Sequence, residues 1–147
     1  MKNLLILFLI FANVISAQSI DFNVKKGVAI EGYDVVSYFD NNPIKGKDTF
    51  LTIYKDVTFK FSSQKNLDAF KLTPDKYLPK YGGYCAYAIA VKGTKVDVNP
   101  KTYEIRNGNL YLFYNAWGTN TLKLWQKESP KKLVDKADNN WKNIESM

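Results

Sequence analysis

Histidine is missing from all 147 residues, and cysteine occurs once, as Cys85. The first absence removes serine or cysteine dyads with a histidine base, histidine metal triads and imidazole acid–base catalysis. The second excludes a disulfide within the chain and leaves Cys85 a free thiol or an intermolecular one. Long apolar runs are scarce too. The one at residues 4–11 reaches at most to Ala12, well short of the roughly 20 residues a membrane-spanning helix requires. No transmembrane anchor is therefore expected. Basic residues number 21 against 14 acidic ones, a net charge of +7, yet no run of lysines exceeds two. The concentrated basic stripe of a nucleic-acid module is lacking, so the surplus reads as a solvated surface with weak attraction for anionic ones. Asp34, Asp56, Asp68, Asp97 and Asp138 show no motif spacing and also read as solvated surface. Repeats, low-complexity tracts and linkers are absent, which points to one domain.

What is present begins with an export signal. Lys2 gives a positive start, the apolar run follows, and Ser16-Ala17 offers a small-residue cleavage site. Cleavage is expected between Ala17 and Gln18. A lipid-anchored precursor would need a cysteine at that point, where Gln18 stands. Removal of residues 1–17, Lys2 among them, lowers the net charge to +6 and leaves 130 residues, enough for a single core without disulfide or metal staples. The mature protein is expected to be soluble and periplasmic or secreted.

The pattern along the chain predicts an α+β fold: an antiparallel sheet of two hairpins, a central helix and C-terminal helices packed on the sheet. Residues 34–39 read as a short strand closed by Asn41-Asn42-Pro43. Residues 49–54 and 57–62 are rich in β-branched and aromatic side chains and are joined by Lys55-Asp56, which predicts a hairpin with Val57, Phe59 and Phe61 on one face. Ser62 or Ser63 caps a helix over 64–72, and Thr73-Pro74-Asp75 opens a short turn carrying Tyr77 and Leu78. Residues 80–83 form a loop. Residues 84–91 are apolar throughout, and their alanines favour helix over buried strand. Asn107-Gly108 predicts a second hairpin between 103–106 and 109–114. The tail is helical over 120–128 and 130–144, with Leu133, Ala137 and Trp141 along one stripe.

The most unusual composition lies in residues 74–87, where the sole thiol is joined by Tyr77, Tyr81, Tyr84 and Tyr87 around Gly82-Gly83. The glycine pair lacks the lysine and helix context of a phosphate loop and reads as a tight turn at positive φ. The string Tyr81-Gly82-Gly83-Tyr84-Cys85-Ala86, with the segment 32–39, resembles the exported group of the YHS-domain family. The matching stretches are 32–39, 57–63, 66–86, 108–114 and 137–141, most of a mature chain read as one YHS-like domain over 18–147. The resemblance implies a small α+β module that binds metal, often copper. The family takes its name from tyrosine, histidine and serine, and the histidine has no counterpart here. After export Cys85 and Met147 are the only sulfur atoms, fewer soft ligands than copper(I) prefers.

Cys85 therefore has two readings. In one it is a small apolar residue among Tyr84, Ala86, Ile89 and Val91, buried and inert. In the other, the amides of Gly82-Gly83 and a helix starting there favour the thiolate, which binds a soft metal or exchanges with an outside thiol. The leading expectation is a non-enzymatic YHS-type binding module with Cys85 as metal ligand. A thiol-redox protein is the alternative, as is a small-molecule site lined by Tyr77, Tyr81, Gly82, Gly83, Tyr84 and Tyr87. Asp138 and Trp141 are expected to pack and cap.

Overall fold

A computed structural model describes residues 21–146; the signal-peptide reading and Met147 lie outside them. The fold is α+β. Strand β1 (Val24–Lys25) turns through Gly27 into β2 (Val28–Ala29), and the expected first hairpin follows as β3 (Lys47–Tyr54) and β4 (Val57–Phe61). Its turn places Lys55 and Asp56 at φ 49° and 63°, the left-handed pair that matches strand twist. These strands form one sheet in the order β1-β2-β4-β3, with β2 and β4 parallel. Helix α1 (Gln64–Leu72) is capped by Ser63, whose hydroxyl accepts from the Asn66 amide at 3.2 Å. Pro74 starts the one-turn α2 (Pro74–Tyr77). Helix α3 (Ala86–Lys92) ends on Gly93 at φ 62°, and the second hairpin, β5 (Asn99–Arg106) and β6 (Asn109–Phe113), turns on Asn107-Gly108 as expected. A small hairpin, β7 (Asn115–Ala116) and β8 (Thr119–Asn120), leads into α4 (Thr121–Lys127) and α5 (Pro130–Glu145).

The two long hairpins lie in separate sheets, and β6 is the wall between two packing clusters. Its run Leu110-Tyr111-Leu112-Phe113 alternates: Leu110 and Leu112 join Phe59, Phe61 and Phe70 on one side, while Tyr111 and Phe113 join Ile89, Trp125 and Leu133 on the other. A strand buried on both faces is continuously apolar for this reason. The chain from Pro79 to Cys85 runs beside β6, with bridges Pro79↔Leu110 and Cys85↔Leu112. Helix α5 buries Leu133, Ala137 and Trp141, the expected stripe, and lies along α3. Among the described residues no helix is long and apolar enough to cross a membrane.

Two readings are corrected. Residues 34–39 are a turn leading into a short 3-10 helix, Ser37–Asp40, and not a strand. Asp34 is the cause, and it is buried (0 % exposed) instead of solvated. Its Oδ1 accepts from the amides of Val36 (2.9 Å) and Ser37 (3.3 Å), which curls the backbone despite its β-branched sequence. Its Oδ2 accepts from the Ser62 amide (2.8 Å), the Ser62 hydroxyl (2.7 Å) and Asn66 Nδ2 (2.7 Å). One carboxylate thus ties the turn to the start of α1.

Candidate functional site

Cys85 stands immediately before α3. Its amide donates to the Val96 carbonyl at 2.9 Å and its carbonyl accepts from Ile89 at 3.0 Å. The sulfur lies 3.3 Å from Thr121 Oγ1, whose own proton goes to the Tyr114 carbonyl at 2.9 Å. A threonine hydroxyl has one proton to give, so with that proton on the Tyr114 carbonyl the Thr121 oxygen is left to accept from the Cys85 thiol. Cys85 is 0 % exposed and forms the floor of a cleft of about 200 Å³. Tyr87, Ala88 and Val91 of α3 make one wall; Val96, Tyr114 and Thr121 make the other, and Lys92 stands at the rim. The Tyr87 hydroxyl donates to Glu128 Oε1 at 2.6 Å. That bond, and to a smaller degree burial, holds its ionisation above the usual phenol range.

The predicted tyrosine pocket is divided by the fold. Tyr77 is buried in the first cluster, edge-on to Phe39 with ring centroids 5.3 Å apart. Tyr81 and Gly82 border a different groove, shared with Lys80, Asp138 and Trp141. Tyr84 packs on Trp141 and reaches the Asp21 carboxylate and the Phe22 carbonyl. Only Tyr87 shares the cleft with Cys85. The glycines are structural: at Gly82 (φ 60°) a Cβ would stand 1.9 Å from the Asp21 carbonyl oxygen, and at Gly83 (φ 84°) 2.2 Å from Ile30 Cδ1. They admit the lead-in segment, whose Asn23 amide donates to the Gly82 carbonyl at 2.8 Å.

Asp138 does more than cap. It accepts from the Tyr81 hydroxyl at 2.9 Å and lies 3.6 Å from Lys80 Nζ. Burial first, and then the Asp138 charge, push the Tyr81 hydroxyl far above the phenol range, so it is a neutral donor at any working pH. This pairing ties α5 to the Tyr81 turn.

A soft metal does not fit the surroundings of Cys85. Among the described residues the side-chain hydrogen-bond partner of its sulfur is a threonine hydroxyl already committed as donor, and no group of three or more His, Cys, Asp or Glu could hold a metal ion. Copper(I) needs several soft donors, and a single buried thiol supplies one.

Three lining residues of the cleft, Val96, Tyr114 and Thr121, were not visible in the sequence, because they come from separate segments with no shared motif. Trp117 was also missed. It is 96 % exposed at the tip of the β7–β8 hairpin, and the one available signal was its place before a turn glycine. Compared with known proteins, the chain matches no family model, no curated protein and no solved structure.

Proposed function

We propose that this chain is an exported binding module of the YHS type, and that its ligand is a small, largely apolar molecule of one substituted ring held in the cleft above Cys85. The observation that carries the reading is the cleft itself. Its walls offer a thiol, three aliphatic side chains and two tyrosine rings to a space of about 200 Å³. An apolar cavity of about 150 Å³ takes benzene, so this space suits a ring with one or two substituents. Sulfur and aromatic edges attract each other, which gives Cys85 a role as part of the floor without any reaction. Lys92 and the Tyr114 hydroxyl have no hydrogen-bond or ion-pair partner among the described residues and are free to orient a polar substituent. The string 81–86 supports the family reading, and residues 1–17 support export.

The test is a thermal-melt screen with indole and p-cresol as probes. At ten times the dissociation constant a ligand adds about 1.4 kcal/mol of stability, a rise of a few degrees for a chain of this size. The rise should vanish when Ala88→Phe, or at the rim Val91→Phe, fills the cleft. No rise with either probe at millimolar concentration would sink the reading.

A further inference from the structure

Trp117 makes no contribution to the fold that would explain its presence. It is 96 % exposed and sits at φ 51° ahead of Gly118 at φ 77°. A bulky L-residue adopts that left-handed geometry only against strain, whereas Asn or Gly takes it readily. A side chain that strains its turn and packs on nothing among the described residues points outward to something else. The turn is firmly mounted. Asn115 pairs with Asn120 and Ala116 with Thr119, the Thr121 amide donates to the Tyr114 carbonyl at 3.0 Å, and the Asn120 side chain accepts from the amides of Leu122 and Lys123. Both residues at the base of the hairpin, Tyr114 and Thr121, line the cleft.

The same region exposes Val91 (41 %) on the cleft rim and Leu124 (38 %) one turn beyond Thr121. Lys92, Lys123 and Lys127 are exposed there, and none has an ion-pair partner among the described residues. The nearby carboxylate of Glu128 is engaged by Tyr87. We propose that this face docks on an anionic lipid surface, with the Trp117 indole entering the boundary between headgroups and acyl chains, Val91 and Leu124 beside it, and the three lysines meeting lipid phosphates. Tryptophan favours that boundary because its ring is apolar and its N–H still finds a partner. Each lysine brought to such a surface improves partitioning about fivefold, and the net positive charge, +7 for the full chain and +6 without residues 1–17, acts in the same direction. A protein partner needs about 800 Å² of matching surface per side; a single projecting indole with unpaired lysines on the adjoining α3 and α4 suits a lipid surface better. The inference does not depend on the cleft holding a ligand.

Fluorescence tests it, because Trp125 (0 %) and Trp141 (9 %) are buried and Trp117 alone of the three tryptophans is open to solvent. The chain is titrated with vesicles of phosphatidylglycerol and phosphatidylcholine in equal parts, wild type and variants sharing one N-terminus. Emission should shift to the blue and become protected from iodide. Salt at about 0.5 M should reverse both changes, and phosphatidylcholine alone should cause neither. Trp117→Asn should lower co-sedimentation at least tenfold while melting no lower than wild type, and Lys92→Gln with Lys123→Gln and Lys127→Gln should lower it at least tenfold. The inference is overturned if Trp117 stays open to iodide at saturating vesicles or if Trp117→Asn sediments like wild type. It is equally overturned if protection appears only with rising protein concentration and no lipid, which would make a second copy the partner.

Discussion

Replacing Asp34 by Asn tests whether one buried carboxylate holds the first half of the chain together. The side chain keeps its shape, yet its two oxygens accept from five donors, two on Oδ1 and three on Oδ2. Whichever way the new amide turns, its NH2 faces donors and at least two of them lose their acceptor. Each buried donor left unsatisfied costs about 1–3 kcal/mol, and the bonds that survive lose their charge assistance. The expected loss is about 3–4 kcal/mol, a large part of the 5–15 kcal/mol usual for a domain. At about 3 °C per kcal/mol, the melting temperature should fall by roughly 10 °C. Urea unfolding at neutral pH measures this, with the midpoint falling and the slope unchanged. In a Ser62→Ala background the same change should cost less, since the Ser62 hydroxyl, one of the five donors, is already gone. A loss below about 1 kcal/mol for Asp34→Asn would refute the reasoning.

Cys85 should resist thiol reagents in the native protein and label at the rate of opening, because none of it is exposed; complete labelling within seconds would contradict the geometry. Cys85→Ala should cost on the order of 1 kcal/mol through lost packing. Burial holds the Tyr38 hydroxyl, and burial with the Asp138 charge holds that of Tyr81, far above the ordinary value of 10.0. The unfolded chain therefore releases two protons near pH 10 that the folded chain keeps. Stability should be full below pH 10 and fall above it by about 2.7 kcal/mol per pH unit, and a urea midpoint unchanged between about pH 9 and 11.5 would contradict that. Gly82→Ala should cost at least about 2 kcal/mol, since it adds left-handed strain to a clash with the Asp21 carbonyl; a variant as stable as wild type would mean the lead-in segment is not held there.

Local chemistry made much of the fold legible. Asn107-Gly108 and Lys55-Asp56 dictate their turns, Ser63 its cap, and the four-residue spacing of Leu133, Ala137 and Trp141 the buried face of α5. The errors arose where distant residues decide. Asp34 curls its own segment while two of its donor residues, Ser62 and Asn66, lie 28 and 32 positions away. The tyrosines at 77, 81, 84 and 87 cluster around Cys85 in the sequence, and on that basis they suggested one pocket. Pro79 and the positive-φ residues Tyr81, Gly82 and Gly83 break the chain there into separately oriented pieces. The rings accordingly point into two packing clusters, a surface and a cleft. Cys85 was legible as the centre of interest, but its surroundings were not, because Val96, Tyr114 and Thr121 reach it through the tertiary fold alone.

The central claim, that the cleft above Cys85 takes a small apolar ring, is tested most directly by a two-dimensional NMR titration of the 15N-labelled chain with indole. The account predicts saturable shifts confined to the amides of Cys85, Ala88, Val91, Val96 and Thr121 and their neighbours, lost in Ala88→Phe. Shifts centred on the Tyr81–Asp138 groove, or none at millimolar indole, would contradict it.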